Sequence, residues 1–192
     1  MSKSLSAAAL ASAAMAVPSA ASAQLPDWSD VEKQIEANDA ALFWAAFEGC
    51  DPQALEGLLT EDYRMLHDLA GLAVSGREAF IADMTQQCAA RAEGGANEGY
   101  KNRRLLVPGS RSITPLDQWG ALERGYHTFQ ELRERPAGWY GDDDPGGPSW
   151  VQTGGAHYIH VWQWMAEEGA FRLAESISVD HGAAPAYPPT ED

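Results

Sequence analysis

Only two cysteines occur in the 192 residues, Cys50 and Cys88, and no C-x-x-C pair. That removes a redox motif or a cysteine-based zinc knuckle from consideration. Positive charge is scarce as well. Thirteen Lys and Arg stand against 28 Asp and Glu, a net charge of −15, which repels phosphate backbones and anionic headgroups and argues against nucleic acid or a membrane surface as partner. After residue 17 no apolar run approaches the roughly 18 residues that a membrane helix needs. H-E-x-x-H and H-x-x-E-H spacings are absent too, so the sequence commits to no metal ligand set and to no cofactor.

What is present begins with a leader. Lys3, the Ala-rich apolar run Leu5 to Val17 and the small-x-small triplet Ala21-Ser22-Ala23 predict a signal peptide over 1–23, cleaved after Ala23, and hence a periplasmic or secreted protein. In an oxidising compartment an even cysteine count predicts a Cys50–Cys88 disulfide. The alternative is a pair of buried free thiols. A closed bridge is worth about 3–4 kcal/mol in the chain-entropy account.

Residues 24–181 read as one α+β domain. Ser29-x-x-Glu32 is a capping box that predicts a first helix, with Val31, Ile35, Leu42, Phe43, Ala46 and Phe47 as its apolar stripe and an end at Gly49. Asp51-Pro52 restarts a short helix that turns Leu55, Leu58 and Leu59 inward. A strand over 63–68 alternates Tyr63, Met65 and His67 against Arg64, Leu66 and Asp68. Ser75-x-x-Glu78 is a second capping box, for a third helix with Phe80, Ile81, Met84 and Cys88 on one face, ended by Gly94-Gly95. Strands follow over 101–107, 112–114 and 120–132.

The most strongly patterned stretch, 156–181, predicts a long hairpin turning near 167–169. Tyr158, His160, Trp162 and Trp164 share one face of its first arm, and Phe171, Leu173, Ile177 and Val179 one face of its second. Residues 134–155, rich in Pro, Gly and Asp, predict a long loop insertion, and 182–192 a disordered tail. Asp142-Asp143-Asp144 does not match a calcium-loop spacing and reads as a solvated turn.

Several stretches in this order resemble the nuclear transport factor 2-like superfamily: N-D-A-A-L-F-W-A-A-F-E-G-C-D-P at 38–52, H-D-L-A-G-L at 67–72, G-R-E-A-F at 76–80, W-G-A-L-E-R-G-Y-H-T-F at 119–129, H-V-W at 160–162 and S-V-D-H at 178–181. Within it, the likeness is to the exported bacterial branch related to SnoaL-like domains, whose activities are largely unassigned. The resemblance implies a cone-shaped fold, three helices packed on a strongly curved, mainly antiparallel sheet that encloses a pocket. The superfamily spans isomerases, dehydratases, cyclases, epoxide hydrolases and non-catalytic modules, so function has to be argued from the pocket.

In such a pocket His67, His127 and His160 converge, with Asp68, Asp180 and His181 at adjacent strand ends as carboxylate and imidazole partners. Tyr63, Phe129, Tyr158 and Trp162 would hold a flat or apolar molecule. A His–carboxylate pair in an apolar cavity is equipment for proton transfer. Three readings stand at this point: an exported protein that binds a small apolar ligand and leaves a homodimer open, a cofactor-independent acid–base lyase, isomerase or hydrolase, and a His-based metal site. His157 is off the pattern and reads as structural.

Overall fold

The computed structural model describes residues 24–182; the expected signal peptide and nearly all of the expected tail fall outside them. The chain runs α1 (Trp28–Phe43), a π-helical turn (Trp44–Glu48), a 3-10 turn (Ala54–Gly57), β1 (Leu59–His67), β2 (Gly71–Ser75), α2 (Arg77–Arg91), β3 (Asn102–Leu106), β4 (Ser112–Leu116), β5 (Gly120–Arg135), β6 (Gly147–Met165) and β7 (Ala170–Gly182). The seven strands form one sheet in the order β2-β1-β7-β6-β5-β3, with β4 also paired to β5. Every pairing is antiparallel except that of β1 with β7. Two α-helices, where three helices were expected, pack on one face of this curved sheet, because the segment after Asp51 forms only a 3-10 turn, and together they give the α+β cone-like architecture.

Neither capping box forms. The cap of α1 is Asp27, whose backbone carbonyl accepts from Asp30 and Val31, and that of α2 is Gly76, and neither residue makes a side-chain cap bond. Ser29 already lies inside the first turn, and Ser75 still belongs to β2. At Gly76 the chain turns from strand to helix with φ +97°, a conformation open to glycine. Asp51 Oδ1 accepts from Ala54 N at 3.3 Å, but the element that follows is a 3-10 turn from Ala54 with Gln53, and not Asp51, in the cap position.

The segment 134–155 is mostly ladder. β5 and β6 stay paired out to Arg135 opposite Gly147, so only 136–146 lies outside regular structure. Period-two alternation failed to show this because the composition is that of a loop, whereas a two-stranded ribbon closed by Gly, Pro and Asp meets the same composition.

The core lies under α1. Val31, Ile35, Ala45, Leu55, Leu59, Trp162 and Leu173 are fully buried there, and burial of apolar area at about 25 cal/mol per Å² is what holds α1 on the sheet. The Cys50–Cys88 disulfide is closed, with Cα atoms 5.6 Å apart, and ties the end of the π-helical turn to α2.

Candidate functional site

Beyond the core, toward α2, helix and sheet separate to leave a cavity of about 350 Å³. Its walls are largely apolar: Phe43 and Phe47 from the end of α1 and the π-helical turn, Met65 from β1, Phe80 and Met84 from α2, and Phe129 from β5. A π-helical turn carries one more residue than an α-helical turn. Here Phe43 and Phe47 stack at 5.8 Å and together roof the cavity. The polar lining comes from the sheet, with His127, Tyr158, His160, Ser176 and Ser178, and from α2, with Asp83, Gln87 and Arg91.

Two strand irregularities place these side chains. At Ala174 one residue of β7 is left over, since Val161 pairs Glu175 and Trp162 pairs Leu173. A bulge of this kind changes the face that follows it. Phe171 and Leu173 therefore face the core, whereas Ser176 and Ser178 face the cavity, in place of the Ile177 and Val179 that unbroken alternation predicts to share the face of Phe171. Tyr158 reaches the cavity because Gly125 opposite it has no side chain; a Cβ there would sit 2.9 Å from the Tyr158 hydroxyl.

His160 stands against two buried carboxylates. Its Nδ1 is 3.4 Å from Asp39 Oδ1 and 3.6 Å from Glu123 Oε2, and the three residues are at most 2% exposed. Two guanidinium groups balance the charge: Asp39 Oδ2 accepts from Arg104 at 2.7 Å and from Arg111 at 2.6 Å, while Arg111 Nε also donates to Glu123 Oε1 at 2.8 Å. Glu123 further accepts from the Tyr158 hydroxyl at 3.0 Å and Trp162 Nε1 at 2.8 Å.

Burial alone would push His160 down, but the Asp39 and Glu123 carboxylates outweigh it and hold the imidazole above its ordinary pKa. Asp39 is the converse case: burial would raise it, and His160 and Arg104 hold its carboxyl well below the usual range. The ring is therefore a stabilised proton acceptor. With Nδ1 turned to the carboxylates, Nε2 is the nitrogen left for chemistry in the cavity.

His127 is set up in the opposite sense. Arg104 Nε donates to its Nδ1 at 3.1 Å. Burial and the adjacent Arg104 charge depress it to about 2. It is thus neutral, with its proton on Nε2, and Nε2 is buried without a partner. Such a donor costs free energy unless something accepts from it. Arg104 itself lies over the Phe43 ring at 3.9 Å and the Tyr158 ring at 4.7 Å.

A second polar group occupies the ends of β1 and β7. His181 Nδ1 lies 2.6 Å from Asp68 Oδ1, and His181 N donates to Asp68 Oδ2 at 3.1 Å. His181 Nε2 lies 3.1 Å from Ser178 Oγ. The His67 ring stacks on His181 at 3.9 Å, and His67 Nδ1 accepts from Leu69 N.

The expected site residues thus divide. Tyr63, His127, Phe129, Tyr158 and His160 line the cavity. His67 does not: it stacks on His181 where β1 ends. Trp162 is not a wall either, because it is fully buried and donates to Glu123. Asp180 points away from both groups and meets His157 Nδ1 at 2.9 Å on an exposed face, while Asp68 serves His181. The carboxylates beside His160 are instead Asp39 and Glu123, and both had a signal. Asp39 interrupts the buried stripe Val31, Ile35, Leu42 of α1, and Glu123 is two residues before Gly125 on the inward face of β5.

Two side-chain groups could in principle hold a metal, Asp39–Glu123–His160 and His67–Asp68–His181. The first does not suit a cation. Three of its four carboxylate oxygens already accept from two guanidiniums, an indole and a phenol, and the two positive charges would repel a third. In the second, His67 Nδ1 accepts a backbone N–H and His181 Nδ1 faces the carboxylate as a hydrogen-bond partner, an arrangement complete without an ion.

No protein-family model matches the sequence, and no curated protein matches it. Similar solved structures exist. A Catenulispora acidiphila protein is 15% identical, covers 80% of this chain and 92% of its own, and superposes with a TM-score of 0.57; a structure from that organism in complex with S-DNPA gives 13%, 78%, 94% and 0.55. Aln2 from a Streptomyces species gives 12%, 81%, 93% and 0.55. The chain shares the α+β cone-like fold of these structures. At these identities the likeness speaks for the fold, and the site has to be argued from its own residues.

Proposed function

We propose that the protein takes one small, mainly apolar molecule carrying a hydrogen-bond acceptor into the cavity and moves a proton on it through His160, as a cofactor-independent lyase or isomerase does. The observation that carries this reading is the position of His160, with Nδ1 between two buried carboxylates and its ring in the wall of an apolar cavity. Proton uptake at Nε2 creates an imidazolium that Asp39 and Glu123 stabilise in a site shielded from water. His127 Nε2–H is the donor for an oxygen that gains negative charge as the proton leaves carbon. Phe43, Phe47 and Phe129 offer faces to a flat substrate.

Small-molecule binding gains support from the similar Catenulispora acidiphila protein crystallised with S-DNPA. We further place the protein outside the cytoplasm, as a periplasmic or secreted protein released by cleavage after Ala23. The Cys50–Cys88 bridge supports this, since such bonds persist in oxidising compartments.

The test is deuterium incorporation. Small aryl ketones with acidic C–H bonds are incubated with the protein in D2O and followed by NMR. The wild type is expected to catalyse exchange, and His160→Gln to slow it by roughly 100-fold or more while ligand titrations still report binding. Binding without exchange in the wild type would leave a non-catalytic pocket protein and refute the proton-transfer reading.

A further inference from the structure

Ser178, His181 and Asp68 are joined in an order that the proton-transfer reading does not use. Ser178 Oγ lies 3.1 Å from His181 Nε2, and His181 Nδ1 lies 2.6 Å from Asp68 Oδ1. The contact with the carboxylate fixes the tautomer. With the proton on Nδ1, the Nε2 lone pair faces the serine hydroxyl and accepts from it. Asp68 is itself held by the backbone N–H of His181, so the carboxylate and the ring are locked together.

This alignment is built at a cost to the backbone. Alternation along β7 would put Ser178 and His181, three residues apart, on opposite faces. A bulge prevents that: Gly155 pairs Gly182 and His157 pairs Val179, which leaves Asp180 and His181 opposite Ala156 alone. Asp180 adopts φ +57° there, a left-handed conformation uncommon for a residue with a side chain. Outliers of this sort gather where a side chain has to be re-aimed. Here the side chain that is turned is His181, and what it meets is Ser178. Ser178 in turn lines the apolar cavity.

We propose that Ser178 is a nucleophile for acyl transfer from a small aryl or alkyl ester, with His181 as its general base and Asp68 as the positioning residue. Ser178 Oγ forms a bond to the ester carbonyl carbon as its proton passes to His181 Nε2. The carbon–oxygen bond to the alcohol then breaks, and His181 returns the proton to the departing alkoxide. Water attacks the acyl-serine in the second half, losing its proton to His181, which restores the Ser178 hydroxyl and releases the acid. This inference needs the cavity to admit small molecules but is independent of proton transfer at His160.

The test uses the mature protein and phenylmethanesulfonyl fluoride, an aromatic sulfonylating reagent small enough to serve as a cavity probe. Intact-mass and peptide analysis should find one sulfonyl group on Ser178, formed with loss of fluoride. Ser178→Ala should abolish the adduct, and His181→Gln should slow its formation by at least 100-fold. Asp68→Asn should slow it too, with the 15N shifts of His181 reporting transfer of the ring proton from Nδ1 to Nε2, a change that loss of packing alone does not produce. An unmodified wild type, an adduct that persists in Ser178→Ala, or an unchanged rate in His181→Gln overturns the proposal. The readout is a covalent mass and not deuterium, so this reading and the one for His160 can fail separately.

Discussion

His160 Nδ1 lies 3.4 Å from Asp39 Oδ1, across the boundary between the long inner strand of the sheet and the first helix. Arg104 and Arg111 converge on the other oxygen of the same carboxylate. Asp39→Asn keeps the shape and removes the charge, leaving Arg104 buried without its carboxylate partner. Breaking a buried pair from one side costs about 3–5 kcal/mol. Chemical denaturation should show a loss of that order, and the deuterium-exchange activity proposed for His160 should fall with it. A variant as stable as the wild type would mean that water already reaches this cluster.

The two cavity histidines act oppositely on stability as pH changes. His127 is held down to about 2 in the folded protein but titrates near 6.5 when unfolded, so below that pH only the unfolded chain takes the proton. Folding then weakens by about 1.4 kcal/mol per pH unit as pH falls from 6.5. His160 is raised; its contribution is fully present below 6.5 and fades as pH climbs through its folded value. Denaturation midpoints between pH 4.5 and 6.5 should therefore drop on acidification in the wild type and drop much less in His127→Gln. Equal slopes in the two proteins would place a charged His127 in the native state.

The Cys50–Cys88 bridge should make stability depend on redox conditions. Reduction, or paired replacement by Ser, should lower the free energy of unfolding by roughly 3 kcal/mol, measured by denaturant titration with and without a thiol reductant. No change on reduction would mean that the reduced chain keeps the two helical segments together by packing alone.

Asp180 gives a test of the bulge by itself. Its φ of +57° suits glycine, so Asp180→Gly should be neutral or stabilise by up to about 1 kcal/mol. Asp180→Val, β-branched and poorly suited to a left-handed backbone, should cost about 1–3 kcal/mol. Thermal melts of the two variants separate these outcomes. If valine is tolerated as well as glycine, the chain reaches this corner by some other route.

The layers of the fold were legible because they rest on periodicity. The helical stripe of α1, the strand at Tyr63, the ribbon from 156 and the cysteine pairing all follow from spacing and residue type. The lining of the candidate site was legible where alternation holds, at Tyr63, His127, Phe129, Tyr158 and His160. Where β7 gains a residue at Ala174, the faces that follow are reversed, so Ser176 and Ser178 fall on a side that counting assigns elsewhere, until the second extra residue near Asp180 reverses them again. Asp39 and Glu123 were hidden differently. Both sit on inward faces, yet a carboxylate among apolar neighbours reads as an error in the pattern until Arg104 and Arg111, distant in sequence, are seen to answer it.

The arginine-bound carboxylate also holds one wall of the cavity in place. Asp39 fastens α1 to the sheet through buried opposite charges, and swinging that helix outward would pull them apart in a medium that screens them poorly. Across the cavity, α2 has Met84 as its buried side chain, with a covalent anchor at Cys88 near its C-terminal end. Its N-terminal end is held to β1, where Gly76 N donates to Tyr63 O at 2.7 Å and Arg77 donates to Leu59 O at 3.4 Å. The two helical walls of the cone are thus tied by different means, α1 by buried charge and α2 by a covalent bond.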